Sequence, residues 1–217
     1  MTSDELLAVF RAETTDNTVP YFWADSLLYV YMNDAQKMFC RLTEGIEDSS
    51  TTSICRLAVA ANTEWYPTSK LILKVREATD TTTGRPYDIV NAEKASEQGI
   101  VFRGQIGPLR AFVTGLEKSK LRAWPMPNAA TTVELRVFRL PLENIEGAGQ
   151  DFEIDEQHHL ALLLWMKHRA YGVEDADVFN RFKSEEYEQK FRAYCAAARV
   201  EQERARRSTG TVSYGGI

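Results

Sequence analysis

Three histidines, three cysteines and a cluster of arginines are the side chains whose chemistry could be put to use, and their spacing limits what they can do. His158 and His159 are adjacent, so on a helix they point about 100° apart and cannot share one metal ion. His168 lies nine residues beyond His159, roughly 13 Å along a helix axis at 1.5 Å per residue. No HExxH pattern is present, so the histidines read as ordinary surface or cap residues. Cys40, Cys55 and Cys195 are far apart, odd in number and form no CxxC pair, which fits reduced thiols and neither a disulfide framework nor a zinc site. Cys40 or Cys195 would act as a nucleophile only with a histidine beside it, and nothing in the spacing supplies one. The sequence has no GxSxG elbow, no GxxxxGK[ST] loop and no GxGxxG turn, and the glycines of FRGQIG and IEGAG read as loop residues. Glu185, Glu186 and Glu188 sit among Lys183, Lys190 and Arg192, with Glu186 and Lys190 four apart. That is the pattern of a solvated, ion-paired helix face rather than of paired catalytic acids. The expectation is no catalytic site, no cofactor and no metal.

The C-terminus is more informative. Arg199, Arg204, Arg206 and Arg207 fall within nine positions at the end of a long amphipathic stretch, interrupted by Glu201 and Glu203. Three readings stand side by side. The arginines suit the negative end of a helix dipole; they could dock on an acidic protein surface; or they could touch phosphate, which would make the chain a nucleic-acid-binding module. The tail Ser208 to Ile217 carries no charge, and Val212, Tyr214 and Ile217 are its only sizeable apolar groups. Alone it cannot bury enough surface to fold. It is either plainly disordered or a peptide that orders on a partner, with Tyr214 as anchor and Gly215 and Gly216 permitting unusual backbone angles.

These residues need a scaffold, and composition bounds it. The chain has 217 residues, 44% hydrophobic and 26% charged, with a net charge of −5. That is ordinary for one domain or a domain with an insertion, and unlike a protein built to sit on nucleic acid or acidic lipid. The first residues, MTSDELLAVFRAETTD, lack the basic and apolar regions of a secretory signal. The longest apolar run, LALLLWM at 160–166, is far short of the roughly 20 residues needed to span a bilayer. A soluble protein, made in the cytoplasm and without a membrane partner, is expected.

Along the chain, Ser3-Asp4-Glu5 before Leu6, Leu7, Val9 and Phe10 predicts a helix over about 3–13. Trp23, Leu27, Val30, Tyr31, Met38 and Leu42 predict a second over about 22–45, stopped by Gly45. ICRLAVAA (54–61), LILKVREA and TVELRVFRLP read as strands, the last two from their period-two alternation. RAFVTGL and KLRAW read as a hairpin ended by Pro125 and Pro127. Residues 79–107 read mostly as loops. IDEQHHLALLLWMKHRAYG predicts a helix closed by Gly172, and about 175–207 a longer one capped by Asp175 or Asp177. The aromatics Phe179, Phe182, Tyr187, Phe191 and Tyr194 fall near one broad face, either core or, in its distal part, a subunit contact.

Helices flanking strands on both sides predict an α+β fold. The outer helices are too long merely to cover a small sheet. The favoured architecture is an antiparallel helical bundle of the N- and C-terminal helices (residues 1–50 plus 150–207) with an inserted small antiparallel β-domain (51–149) and a docking tail (208–217).

WADSLLYVYMNDAQKMFCR followed by EDSSTTSIC, then LILKVREA, KLRAWPMPNAATTVELRVFRLP, HLALLLWMKHRAYGVEDADVFN, EEYEQKFRAYCAAARVE and the terminal SYGG occur in an order that resembles the head-to-tail connector (adaptor) proteins of tailed bacteriophages. The resemblance runs over residues 20–217. It implies a structural virion protein in the neck, forming a ring of typically twelve copies beneath the portal protein. It also implies that DNA passes through the ring without specific binding, and that tail or nozzle proteins attach to it. Carried onto this chain, the portal-docking region is Arg199 to Ile217. Residues 79–107 match nothing in the family pattern.

Overall fold

The computed structural model describes residues 1–97, 105–173 and 179–206. Its secondary structure is mixed α+β. The first elements are α1 (Ser3–Thr14), α2 (Asp25–Leu42), β1 (Ile46–Asp48), α3 (Thr52–Cys55), β2 (Arg56–Val59), β3 (Trp65–Pro67), β4 (Ile72–Asp80) and β5 (Pro86–Asn91). There follow α4 (Ala92–Glu97), β6 (Ile106–Gly107), β7 (Ala111–Thr114), β8 (Lys120–Trp124), β9 (Met126–Pro127) and β10 (Thr131–Arg139). A 3-10 turn (Glu156–His158) leads into α5 (His159–Tyr171), and α6 (Arg181–Arg206) is the last described element. The chain divides into two compact units, Met1–Thr43 with Glu143–Ile217, and Glu44–Leu142.

In the first unit, α1 starts where the sequence predicts, because the Glu5 carboxylate reaches back to accept from the Thr2 N–H at 2.9 Å and Asp4 and Glu5 face the positive end of the dipole. Leu6 and Phe10 are fully buried on its inner face. Arg11 is buried and gathers the chain that follows. It donates to Asp16 Oδ2 at 2.6 Å, to the Trp23 carbonyl at 3.0 Å and to Asp25, and its guanidinium lies 3.6 Å from the centre of the Tyr21 ring. With Trp23 held by that guanidinium, α2 begins at Asp25 rather than near residue 22.

The buried face of α2 also differs from the predicted stripe. Leu28, Tyr31, Met32, Ala35, Gln36, Phe39 and Cys40 are buried, whereas Val30 is 56% and Leu27 38% exposed. Apolar residues occur on more than one side of this helix, so spacing alone fits two stripes. Trp165 Nε1 donates to Asp34 Oδ2 at 2.8 Å and Phe39 lies 4.8 Å from the His158 ring, and these contacts select the side turned to α5. Gly45 does not stop the helix, which ends at Leu42 with the Thr43 N–H on the Phe39 carbonyl at 2.9 Å.

The second unit is built on β10. The eight-stranded sheet runs β1-β10-β4-β5-β7-β8-β3, with β2 also pairing β10. Val133, Leu135 and Val137 point into the core as their alternation predicts, joined by Ile54, Tyr66, Val75, Ala78, Phe112 and Leu121. β4 keeps the expected strand but not the expected alternation. Val137 faces Val75 while Arg136 faces Glu77, so Arg76 is an extra residue, a β-bulge that brings Val75 and Ala78 to one face; a second shift, between Phe138 opposite Lys74 and Arg139 opposite Ile72, leaves Leu73 unpaired and 40% exposed. The β7–β8 hairpin forms, with Ala111 opposite Trp124 and Val113 opposite Arg122.

Four predictions for this unit need correction. The sheet is mixed rather than antiparallel: β5 pairs β7 in parallel, as does β6 with β9. The 79–107 stretch is not mostly loop. It holds the end of β4, all of β5, α4 and β6, and residues 98–104 lie outside the described ones. Its Thr- and Gly-rich part is a tight turn tied by Asp80, which accepts from the Thr82 and Thr83 N–H groups and the Tyr87 and Thr131 hydroxyls. Those bonds hold its carboxyl well below the usual range. The predicted strand at 54–61 opens instead as helix α3 and is extended only over β2. β8 ends at Trp124, directly before Pro125 as expected, but Pro127 lies in a further strand, β9, where the ladder uses the Met126 and Asn128 N–H groups instead.

A buried ion pair closes this unit's edge. Arg139 Nε donates to Asp48 Oδ2 at 2.6 Å, both side chains almost wholly enclosed. Burial alone would raise the Asp48 carboxyl, but hydrogen bonds from Thr51, Arg139 and Ser50 outweigh it and hold it far below the ordinary value. Gly45 has φ +86°, and a Cβ there would stand 2.7 Å from the Arg139 carbonyl oxygen. Only glycine permits this approach.

Candidate docking surface

The arginine cluster is carried by α6, and the way α6 is held determines what it presents. The helix begins at Arg181, later than predicted, because Asn180 caps it. The Asn180 side chain accepts from the Lys183 N–H at 3.0 Å and its carbonyl from the Ser184 N–H at 2.9 Å. The predicted caps Asp175 and Asp177 lie outside the described residues. α6 runs antiparallel to α5: Tyr171 stacks on Tyr187 at 6.0 Å, Trp165 meets Phe191 at 5.2 Å, and His158 Nδ1 is 2.9 Å from the Tyr194 hydroxyl. Gly172 caps α5, but in a right-handed conformation. A Cβ there would come within 3.1 Å of both the His168 carbonyl and Ser184 Oγ. Glycine thus serves close helix approach rather than a left-handed turn.

His158 and His168 meet α6 in this interface, and His159 is buried against Phe152 and Ile154. His158 and His159 are both buried; His159 Nε2 is 2.7 Å from the Ile154 carbonyl, and Ser184 Oγ is 3.0 Å from His168 Nδ1. Burial pushes the His158 imidazole below its ordinary range. The thiols are interior too. Burial raises Cys55 to about 11 and Cys195 to about 12, values at which neither is a thiolate near neutrality. Among the described residues no group of His, Cys, Asp and Glu could hold a metal ion, and no helix is long and apolar enough to cross a membrane.

The aromatic face divides. Phe191 is fully buried, but Phe182 is 86% and Phe179 46% exposed. The core reading holds for Phe191, whereas the exposed aromatics lie just before and at the start of α6 rather than in its distal part, where the alternative reading put a subunit contact. The expected ion-paired face is present: Lys190 donates to Glu186 at 2.6 Å, Arg192 to Glu188 at 2.9 Å, and Arg181 to Glu185 at 2.7 Å.

The buried residues of α6 are Ser184, Phe191, Cys195 and Ala198. Beyond Ala198 none of its described residues is buried, yet the helix continues through Arg206. Of the nine residues predicted to dock, Arg199, Arg204 and Arg206 lie on these last turns. Arg199 donates to Glu203 at 3.1 Å, and Arg204 is exposed. Arg207, Val212, Tyr214, Gly215, Gly216 and Ile217 lie outside the described residues.

A second surface, in the β unit, has no local signature in the sequence. β4 and β5 pair only at Ala78–Tyr87 and Thr79–Pro86. They then diverge, because β4 follows β10 while β5 from Asp88 onward follows β7. The opening is a groove of about 650 Å³ lined by Lys74, Arg76, Lys94 and Lys120 with Glu117 as its one carboxylate. These cations come from two strands and a helix, up to 46 positions apart, too far for spacing to reveal them.

The last turns of α6 and the lysine-rimmed groove offer surfaces for contact. The model of the SU10 adaptor protein family matches residues 1–214, and the chain belongs to that family of bacteriophage adaptors. The family is a structural one rather than an enzyme class. Among curated proteins none matches the chain.

Proposed function

We propose that this chain is the head-to-tail adaptor of a tailed phage. In this reading it forms a ring, of typically twelve copies, that docks under the portal protein, prolongs the DNA channel and gives tail or nozzle proteins their platform. Its N- and C-terminal helices form an antiparallel bundle that stacks around the ring, with the β unit as an insertion. The end of α6 and the tail 208–217 reach the portal. The observation that carries the reading is the stretch of α6 beyond Ala198, helical without a buried face of its own. A helix so short of core contacts draws little stability from within the chain, and gains it when a partner covers it. The tail adds an uncharged peptide that orders on binding. Repetition around a ring turns each weak contact into firm attachment through effective concentration.

The nucleic-acid reading has less support. Arg199 is engaged with Glu203, and the whole chain carries −5. The test is binding of tagged full-length protein and of a chain ended after Arg207 to purified portal-bearing capsids. Full-length protein that sediments with capsids, against a truncated chain that folds but stays in solution, supports portal docking through the tail. Equal binding of both would remove the tail from the interface.

A further inference from the structure

We propose that the lysine-rimmed groove between β4 and β5 receives the acidic segment 143–156 of a second copy of this chain. The inference rests on the ring reading above and names the surfaces by which neighbours meet.

The first observation is charge. Residues 44–142 carry 13 Lys and Arg against 11 Asp and Glu, whereas the remainder carries 13 against 20. The acidic excess is concentrated. Residues 143–156 contain six carboxylates, and no Lys or Arg occurs between Arg139 and Lys167. All six, Glu143, Glu146, Asp151, Glu153, Asp155 and Glu156, are exposed.

The second observation is that this segment is held in shape. Asn33 Nδ2 donates to the Ile145 carbonyl at 2.8 Å and the Ile145 N–H returns a bond to Asn33 Oδ1 at 2.7 Å. Ser3 Oγ donates to the Gly147 carbonyl at 2.8 Å, and the Gly149 N–H donates to Asp4 at 2.6 Å. Carboxylates on a fixed loop lose little freedom on docking, so more of the contact energy appears as affinity.

The third is the groove itself. Lys74, Lys94 and Lys120 are exposed on its rim. Its floor is apolar, formed by Ile72, Val75, Ile89 and Leu121. The two surfaces belong to different units of one chain, so the contact is heterologous. Each copy offers its segment to one neighbour and its groove to the other. Repetition of such a contact propagates into a ring or a filament.

The experiment uses full-length protein in sedimentation velocity over a range of concentration and salt. Variant one carries Lys74→Glu, Lys94→Glu and Lys120→Glu; variant two carries Glu143→Lys, Glu146→Lys and Glu153→Lys. All six side chains are exposed, and circular dichroism checks that each variant folds. Wild-type protein is expected to associate, more weakly as salt rises. Each variant alone is expected to associate at least about tenfold less tightly, and an equal mixture of the two to recover, because reversed groove meets reversed segment. Variants that assemble like wild type, or a mixture that does not recover, overturn the inference and leave the ring reading standing. Loss of binding to a DNA duplex by variant one with its assembly intact assigns the groove to phosphate and overturns it as well. A wild-type chain that stays single under every condition overturns this inference and leaves the ring reading to the capsid-binding test.

Discussion

Phe191→Ala tests whether α6 is held by the face assigned to it, with Phe182→Ala as its control. Both changes remove the same benzyl group from the same helix. Phe191 is fully buried against Trp165, ring centres 5.2 Å apart, whereas Phe182 is 86% exposed. Truncating a buried phenylalanine costs about 3–5 kcal/mol through lost transfer energy and the cavity left behind, of which the aromatic pair accounts for about 0.5–1.5 kcal/mol. Truncating the exposed one is expected to stay within about 0.5 kcal/mol. For a unit of this size the first change lowers the melting temperature by on the order of 10 °C or more, and the second leaves it nearly unmoved. Urea unfolding followed by tryptophan fluorescence is the assay, since Trp165 is the direct neighbour of Phe191. Two variants of equal stability would refute the face assignment, and with it the claim that the fully buried residues of α6 end at Ala198.

Other perturbations read separate parts of the structure. Arg139→Leu leaves the Asp48 carboxylate enclosed without its partner and is expected to cost about 3–5 kcal/mol in denaturant unfolding; a cost under about 1 kcal/mol would show the pair to be dispensable. Asp48 has a depressed folded-state value, so its contribution is present above about pH 4, the unfolded carboxylate range, and is lost as pH falls below it. In Asp48→Asn that part of the acid dependence is absent, and an unchanged acid profile would contradict the assignment. Gly45→Ala forces a left-handed angle and a contact with the Arg139 carbonyl, a loss of at least about 1–2 kcal/mol, checked by the same unfolding curves. A thiol titration of native protein finds Cys40, Cys55 and Cys195 unreactive, and all three react in denaturant; rapid native labelling of Cys195 would contradict its burial.

The sequence made legible whatever depends on local periodicity. β10 is the clearest case: Val133, Leu135 and Val137 alternate without interruption, and the strand pairs with β1, β2 and β4. The face of α2 was not legible, because Leu27 and Val30 satisfy helical spacing as well as Leu28 and Tyr31 do, and the choice is made by Asp34 and Phe39 meeting α5. The bulge at Arg76 was hidden for a similar reason, since an extra residue is defined only by the partner strand. β5 was overlooked because its pairing in parallel with β7 is non-local and its flanks are rich in Thr, Gly and Asn. At the candidate site the arginines of α6 were legible from composition. The exposure of the turns that carry them was not, since it depends on where α5 stops providing cover. The groove cations, spread from Lys74 to Lys120, had no linear pattern at all.

The most direct measurement of the central claim is a reconstruction of the neck of mature virions by electron cryomicroscopy, with mass spectrometry of the same particles for content. The account predicts that the chain is present in the particles and forms a single ring directly beneath the portal, with the end of α6 against the portal. Absence of the chain from virions, or its location in the capsid shell or at the tail tip, would contradict it.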